Sequence, residues 1–256
     1  MKKTLFTFVI LLALSLSSCD FSSLYESSVT VRFNHNWDGE PVHWTDFGEL
    51  KYQTENGDLI SIDSLNYVIS RIHLKKENSD LIYVISDVKF IDLSSGSTWV
   101  ELGDVPDGRY EISFVFGLRN EDNISHIHSE IPASFLVPEI YGGGYHFMHF
   151  DGKYLAANNT ENPYSFYATK AVDSSNPNNL IMQDTSFEIN LGTHYLGGAP
   201  FLSQINIEVN LAEWFKNPTT WDLTTQNQNL VIDFNAQLLI KENGKNVFTL
   251  GEIYYD

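Results

Sequence analysis

Residues 66–75 read Asn-Tyr-Val-Ile-Ser-Arg-Ile-His-Leu-Lys, and this stretch indicates the fold more clearly than any other. Two sets of residues alternate along it, and the set containing Val68, Ile72 and Leu74 is markedly more apolar than the other. In a strand, successive side chains point to opposite faces of the sheet. The stretch therefore predicts a strand in a sheet with one buried face.

Similar short runs recur along the chain, and no helical period continues for long. Gly-containing pairs such as Asn56-Gly57 and Asp151-Gly152 predict turns between them, and residues 211–216 predict a short helix. The pattern indicates an all-β fold, an antiparallel β-sandwich of immunoglobulin-like type with at most one or two short helices. The predicted strands are residues 29–34, 66–75, 82–93, 109–117, 144–150, 165–171, 187–191, 204–211, 230–241 and 246–253.

The composition excludes several classes of protein. The chain has 256 residues, of which 43% are hydrophobic, so it is long enough and apolar enough for a packed core. With 33 acidic and 15 basic residues its formal charge is −18, which argues against a nucleic-acid partner. Its single cysteine excludes an internal disulfide, an all-thiolate zinc site and an iron–sulfur cluster.

The N-terminus accounts for that cysteine. Lys2 and Lys3 precede a short apolar run, which ends in Leu-Ser-Ser-Cys at residues 16–19. A run of this length is typical of a signal peptide rather than of a membrane span. The four residues resemble the bacterial lipoprotein cleavage box, in which the cysteine is acylated; the alternative is an ordinary secretory signal with a chance cysteine. We therefore expect lipidation at Cys19.

These features predict the organisation of the chain. Residues 1–18 are the predicted lipoprotein signal peptide, residues 19–28 a tether, and residues 29–256 a single domain. Removing residues 1–18 takes away two lysines and no acids, so the mature charge is 13 − 33 = −20. Because this surface is repelled by anionic headgroups, the lipid is expected to provide the contact with the membrane. The predicted location is the bacterial cell envelope, on an outer-membrane anchor facing the periplasm or the exterior.

The sequence contains no motif that predicts an enzyme. It has no Gly-x-Ser-x-Gly elbow, no phosphate-binding loop and no His-Glu-x-x-His pair. Its acidic residues show no spacing that defines a catalytic pair. We therefore expect a non-enzymatic protein.

The eight histidines are the only concentrated ligand chemistry. Neutral imidazole and thioether are good copper ligands. In an extended chain, His126 and His128 share one face, and His146 shares a face with Met148. The alternative is that these are ordinary surface or hydrogen-bonded histidines. The predicted metal ligands are His35, His146, His126, His128 and Met148.

Several segments, in their order along the chain, resemble the MbnP-like family, the copper-binding proteins of methanobactin operons. Each segment is weakly diagnostic alone, and their ordered succession over nearly the whole mature chain supports the resemblance. The segments are Val-Arg-Phe-Asn-His (31–35), Gly-Glu-Pro (39–41), Leu-Asn-Tyr-Val-Ile-Ser-Arg-Ile-His-Leu (65–74), Val-Pro-Asp-Gly-Arg-Tyr (105–110), Phe-Gly-Leu (116–118), Gly-Tyr-His-Phe-Met-His-Phe-Asp-Gly-Lys (144–153) and Val-Asn-Leu-Ala-Glu-Trp-Phe (209–215).

The resemblance implies a periplasmic or surface β-sandwich that binds copper, encoded beside a di-haem partner related to peroxidases. In some relatives that partner oxidises a tryptophan to kynurenine, which helps to hold the metal. The corresponding segment here, residues 138–144, reads Pro-Glu-Ile-Tyr-Gly-Gly-Gly and has no tryptophan. The resemblance therefore supplies neither that ligand nor a need for the oxidising partner. It does carry His35 over as a ligand, and His146 lies inside a matched segment.

A second hypothesis uses the aromatic residues instead of a metal. A surface lipoprotein can recognise a glycan or a protein through exposed rings, and the chain has five tryptophans and thirteen tyrosines. We expect at least three of the tryptophans to pack in the core. This hypothesis predicts an aromatic cleft and scattered histidines.

Overall fold

The computed structural model describes residues 26–156, 158–173, 175–176, 180–197 and 202–255. The predicted signal peptide and the predicted lipidation site, Cys19, lie outside the described residues. The first strand begins at Glu26, so residues 26–28 belong to the folded part rather than to a tether. Within the described residues, no helix has the length and apolar character needed to cross a membrane.

The described residues contain fifteen strands, one α-helix and several short 3-10 helices. The helix α1 spans Phe234–Gly244. The strands are β1 (Glu26–Trp37), β2 (Glu40–Pro41), β3 (Tyr52–Gln53), β4 (Leu59–Ile60), β5 (Ser64–Lys76), β6 (Ile82–Asp92), β7 (Trp99–Pro106), β8 (Gly108–Phe116), β9 (Met148–Leu155), β10 (Glu161–Ala168), β11 (Ala171–Asp173), β12 (Ile181–Gln183), β13 (Phe187–Leu196), β14 (Leu202–Asn210) and β15 (Phe248–Tyr255).

The smaller of the two main sheets is built around β1. Its order is β15-β14-β1-β2, and β7 also pairs with β1. β1 runs parallel to β14, from Ser28 opposite Leu202 to Asn36 opposite Asn210. The other strand pairs among the described residues are antiparallel.

The larger sheet positions most of the histidines considered below. Its order is β13-β8-β5-β9-β4-β3, with β10 paired to β9 and β6 paired to β5. In its register, Tyr67 of β5 lies opposite Met148 of β9, and Asn66 lies opposite His149. On the other side of β9, His149 lies opposite Tyr167 of β10. Since residues opposite one another point to the same face, His149 and Tyr167 share one face, and Met148 and Tyr67 share the other.

The two sheets pack face to face through aromatic side chains. Phe33 of β1 makes an edge contact with Phe114 of β8, with ring centroids 5.7 Å apart. Phe248 of β15 contacts Tyr67 of β5 at 6.0 Å. Edge-to-face pairs of this kind stabilise a core beyond the area that they bury. The predicted all-β sandwich is confirmed.

The tryptophans divide between core and surface. Trp37, Trp214 and Trp221 are buried, which confirms that at least three of the five belong to the core. Trp44 and Trp99 are 64% and 51% exposed.

The strand predicted at residues 230–241 is wrong, because this part of the chain forms a 3-10 turn and then α1. The Asp233 side chain caps the helix by accepting a hydrogen bond from the Ala236 amide at 2.9 Å. The helix buries Gln237 and Ile240 on its inner side. A buried polar residue breaks the apolar period that reveals a helix, and this is why the pattern was misread.

Other local predictions had mixed outcomes. The helix predicted at residues 211–216 is confirmed as a 3-10 helix, Leu211–Phe215. The turn predicted at Asp151-Gly152 is wrong, because both residues lie inside β9. A Cβ atom on Gly152 would stand 2.1 Å from the Ser61 carbonyl oxygen, so the glycine permits a close approach of two backbones. Strand β7 was not predicted.

Candidate metal centre

His35, carried over from the family resemblance, points from β1 into the sandwich. Its side chain is 6% exposed, and its Nε2 lies 3.0 Å from the Tyr67 hydroxyl oxygen. Its Nδ1 is buried without a hydrogen-bond partner. Burial lowers the pKa of His35 from 6.5 to about 3, so the ring is neutral at pH 7.

A surface cleft of about 510 Å³ reaches His35, and the exposed side chains of His43 and Trp44 also line it. Two side-chain amides hold the Glu208 carboxylate, which lies on the wall of this cleft. The Asn34 amide donates to Glu208 Oε1 at 3.2 Å, and the Asn36 amide donates to Oε2 at 3.1 Å.

His146 and His149 form a pair on the other face of the larger sheet. Their ring centroids are 4.6 Å apart, with the two planes at 71°. His146 is 7% exposed and His149 is half-buried. Because His149 alternates with Met148, it faces away from Tyr67 and thus from His35. His35, which contacts Tyr67 on the inner face of the larger sheet, therefore lies on the opposite side of that sheet from the pair.

The position of His149 is fixed by two aromatic rings. It is stacked on Tyr167 at 4.0 Å and 16°, and on Phe135 at 4.0 Å and 24°. The first stack follows from the β9–β10 register. The second arises because the 3-10 helix Ala133–Phe135 packs over the start of β9, where the Phe135 carbonyl accepts the His146 amide at 2.7 Å.

Both members of the pair carry a free ring nitrogen. His146 Nδ1 and His149 Nε2 are buried without a hydrogen-bond partner. Burial lowers the pKa of His146 to about 3, with a further contribution from His149, and burial lowers the pKa of His149 to about 4. Both imidazoles are therefore neutral at pH 7, the form that binds metals. Unpartnered buried polar atoms are rare in folded proteins, so two of them on neighbouring rings make this pair a candidate ligand site.

The other predicted ligands lie elsewhere. His126 is exposed in a loop, with a φ of 68°. His128 contacts the Asp122 carbonyl through Nε2 at 2.8 Å and packs against Tyr145. The chain is not extended here, so the two rings do not form the pair that an extended segment would give. Met148 is fully buried on the face opposite His149.

His149 was missed as a partner of His146 because the sequence pattern predicted an unbroken strand over residues 144–150. β9 begins at Met148, so His146 precedes the strand and is free of its alternation. The spacing His-x-x-His at residues 146–149 was the available signal. In the described ranges, no cluster of three or more His, Cys, Asp or Glu side chains is arranged to hold a metal ion.

A cleft of about 490 Å³ leads to His146. Its wall includes Tyr167, residues 228–232 and the side chains of Pro138 and Tyr141. The last two belong to the segment 138–144, where the family resemblance placed a tryptophan that this chain lacks.

Comparison with known proteins identifies the family of the chain. The MbnP family model matches residues 26–233. The chain belongs to the MbnP family. A search of solved structures finds the MbnP from Methylosinus trichosporium, at 13% sequence identity and a TM-score of 0.49, covering 77% of this chain and 80% of that one. A search of curated proteins finds no match.

Proposed function

We propose that this MbnP-family protein binds copper through His146 and His149, in a non-enzymatic role. The observation that carries the proposal is the adjacency of two neutral imidazoles, each with a buried, unpartnered ring nitrogen. Imidazole nitrogen is a good copper ligand. A metal ion lies about 2 Å from each nitrogen that binds it, so two ligating nitrogens stand at most about 4 Å apart. Ring centroids 4.6 Å apart are compatible with such a spacing.

We assign His35 a structural role, although its Nδ1 is also buried without a partner. Its Nε2 is engaged by Tyr67, and the sheet separates it from the pair. We therefore propose that copper binding depends on His146 and His149, and that it is independent of His35, His126, His128 and Met148.

Metal titration of the purified protein tests this proposal. His146→Gln and His149→Gln are each expected to weaken copper binding at least about 100-fold, since either change removes one of two ligands. His43→Gln is the matched control, because His43 is exposed and outside the pair. Wild-type affinity in both pair variants, or loss of binding in His35→Gln alone, would show that the metal binds elsewhere.

We further propose that the protein is anchored to the cell envelope by a lipid on Cys19, with the folded domain in the periplasm or on the exterior. The support is the N-terminal sequence, with its basic start, apolar run and Leu-Ser-Ser-Cys box. Mass spectrometry of the N-terminal peptide of the cell-purified protein is expected to show an acylated Cys19. An unmodified peptide that begins at another residue would contradict lipidation.

A partner that oxidises tryptophan is not part of this proposal, because residues 138–144 contain no tryptophan for it to modify.

One observation favours a second candidate function, glycan recognition in the cleft at His35. Trp44 is 64% exposed on this cleft, and the amide-bound Glu208 carboxylate lies on its wall. An exposed ring with polar groups beside it suits stacking on a sugar. Trp44→Ala should then abolish any glycan-induced change in tryptophan fluorescence, and retained binding in this variant would exclude the cleft.

A further inference from the structure

The outer face of the smaller sheet carries polar side chains and an exposed tryptophan. Phe33 and His35 of β1 are buried in the sandwich, so the residues that alternate with them point outward. Residues opposite one another on paired strands share a face. The outward side chains of β1, β7 and β14 therefore include Arg32, Asn34, Trp99, Gln204, Asn206 and Glu208.

Two surface clefts meet on this face at Arg32. One is the cleft at His35, where Trp44 is exposed. The other has a volume of about 420 Å³, and the exposed Trp99 lies on its wall together with Gln204. Arg32 lines both clefts. The two clefts therefore form one groove with a tryptophan in each half, here called the tryptophan groove.

Among the described residues, Arg32 is the arginine that forms no ion pair. Arg71, Arg109 and Arg119 each contact a carboxylate. Glu208 lies near Arg32 on the same face, because it is opposite the second residue after Arg32 in β1. The two side chains do not pair, and no described residue accepts a hydrogen bond from the guanidinium. Its N–H donors are therefore available to a ligand.

The acceptor groups of the groove are held in place by amides. The two Glu208 oxygens accept hydrogen bonds from the Asn34 and Asn36 amides at 3.2 and 3.1 Å. Asn206 is 4% exposed and accepts a hydrogen bond from the Gln204 amide at 3.0 Å. A carboxylate oxygen that accepts one such bond can accept another. The floor of the groove is thus ordered in advance, which lowers the entropic cost of binding a ligand.

Neighbouring hydroxyl groups match this arrangement better than an anion does. A hydroxyl both donates and accepts, so a sugar can donate to Glu208 and accept from Arg32. A sugar ring also has an apolar C–H face, which suits stacking on the exposed rings of Trp44 and Trp99. A polyanion is disfavoured, because Glu101 and Glu208 flank Arg32 and the chain has 33 acidic and 15 basic residues.

The length and charge of the groove favour a chain of sugars over a protein. Trp99 lies opposite Arg32, whereas Trp44 follows β2, which pairs with Asn36. From Arg32 to Asn36 the strand extends about 13 Å, which is longer than one sugar ring. The core of a protein–protein interface is depleted in charged residues, but here Arg32 and Glu208 lie between the tryptophans.

We propose that the tryptophan groove binds a neutral oligosaccharide, whose sugar units stack on Trp99 and Trp44 and whose hydroxyls bond to Arg32 and Glu208. The inference rests on the second candidate function, glycan recognition in the cleft at His35. It extends that site to the adjoining cleft and names the class of ligand. It does not depend on the proposed copper site.

Isothermal titration calorimetry of the purified protein tests the proposal. The neutral probes are cellohexaose, laminarihexaose and xylohexaose, and the acidic probe is hexagalacturonate. We expect at least one neutral probe to bind and the acidic probe not to bind. Trp99→Ala should weaken this binding at least about fivefold through the lost stacking. Arg32→Ala should weaken it at least about tenfold through the lost hydrogen bonds.

The larger sheet offers a matched control pair. Tyr195 of β13 lies opposite Arg109 of β8, and both side chains are exposed, as in the pair of Trp99 and Arg32. Tyr195→Ala and Arg109→Ala should leave the dissociation constant unchanged. Since all four residues are exposed, each variant should keep the circular dichroism spectrum of the wild type.

The outcomes separate the inference from the function on which it rests. Wild-type affinity in both Trp99→Ala and Arg32→Ala overturns the inference, and binding of hexagalacturonate alone overturns the neutral ligand class. If Trp44→Ala abolishes binding and Trp99→Ala does not affect it, the cleft at His35 binds the glycan and the extension is wrong. If no probe binds at millimolar concentration, the candidate glycan function fails as well.

Discussion

At the scale of single residues, the free nitrogens of His146 and His149 are costly for the folded protein. A buried polar atom without a partner destabilises a fold by about 1–3 kcal/mol. The nearby polar groups do not relieve this cost, since the Tyr167 hydroxyl bonds to Asp151. Sites kept for a ligand often carry such a cost.

Replacing His149 with phenylalanine should therefore stabilise the metal-free protein. The phenylalanine ring can keep the stacking contacts with Phe135 and Tyr167, and the change removes the unpartnered Nε2. We expect the free energy of unfolding, measured by urea denaturation, to rise by about 1 kcal/mol, while copper binding is lost. His149→Ala is the control, because it leaves a cavity and should destabilise the fold by about 2 kcal/mol. A loss of stability in His149→Phe would show that the unpartnered His149 Nε2 does not destabilise the fold.

His35 gives a prediction for the pH dependence of stability. Its pKa is about 3 when folded and 6.5 in the reference state, so between these values the unfolded chain binds more protons than the folded one. Its contribution to stability is therefore complete above pH 6.5 and is lost as the pH falls toward 3. This residue adds a slope of about 1.4 kcal/mol per pH unit in that window.

The measurement is urea denaturation at several pH values between 4 and 6, on the wild type and on His35→Gln. Glutamine does not titrate and can still bond to the Tyr67 hydroxyl. The variant should lose stability less steeply on acidification. If the free energy of unfolding falls equally steeply with pH in both proteins, His35 is not held neutral by the fold.

At the scale of elements, α1 supports the candidate metal centre through Gln237. This fully buried side chain accepts the Thr169 amide at 2.7 Å and donates to the carbonyls of Tyr167 and Leu230, both at 2.9 Å. These bonds connect the end of β10, including the Tyr167 backbone, to the turn at Leu230, which lines the cleft at His146. The helix therefore holds Tyr167 and Leu230, which line one wall of the cleft at His146, in position.

Gln237→Leu should remove these three hydrogen bonds. The change leaves the Thr169 amide without its acceptor, so the free energy of unfolding should fall by about 2–4 kcal/mol, and copper binding should weaken as the Tyr167 backbone loses its bond to Gln237. The exposed Lys245 after the helix offers a control, since its bond partner Glu242 is also at the surface and Lys245→Ala should change stability little. Unchanged stability in Gln237→Leu would contradict the role given to α1.

The same elements show what the sequence could and could not predict. Alternation is a local property, so β5 was predicted from residues 66–75 almost to its ends. The burial of Gln237 depends on distant carbonyls, so no local pattern revealed α1. Histidines were predicted as metal ligands from residue type alone, and this stays a prediction. The pairing of His146 with His149 was not predicted, because it depends on where β9 begins and on the 3-10 helix that carries Phe135.

At the scale of the whole molecule, metal binding should appear as thermal stability. A ligand that binds only the folded state at 100 times its dissociation constant adds about 2.7 kcal/mol. For a domain of this size that corresponds to a rise in Tm of about 5–10 °C. Differential scanning fluorimetry with copper should show the rise for the wild type and no rise for His149→Phe. An equal shift in both proteins would indicate binding outside the pair.

The place of β1 at the centre of the smaller sheet has a mechanical consequence. If the chain is anchored through Cys19 as proposed, tension from the membrane would enter the described fold at Glu26, the first residue of that strand. The strand is bonded along its length to β14 on one side and to β7 and β2 on the other. A pull along its axis loads these bonds together in shear instead of peeling them one by one. Under the proposed anchoring, a pull from the cell envelope would therefore not peel the strand away from its tethered end.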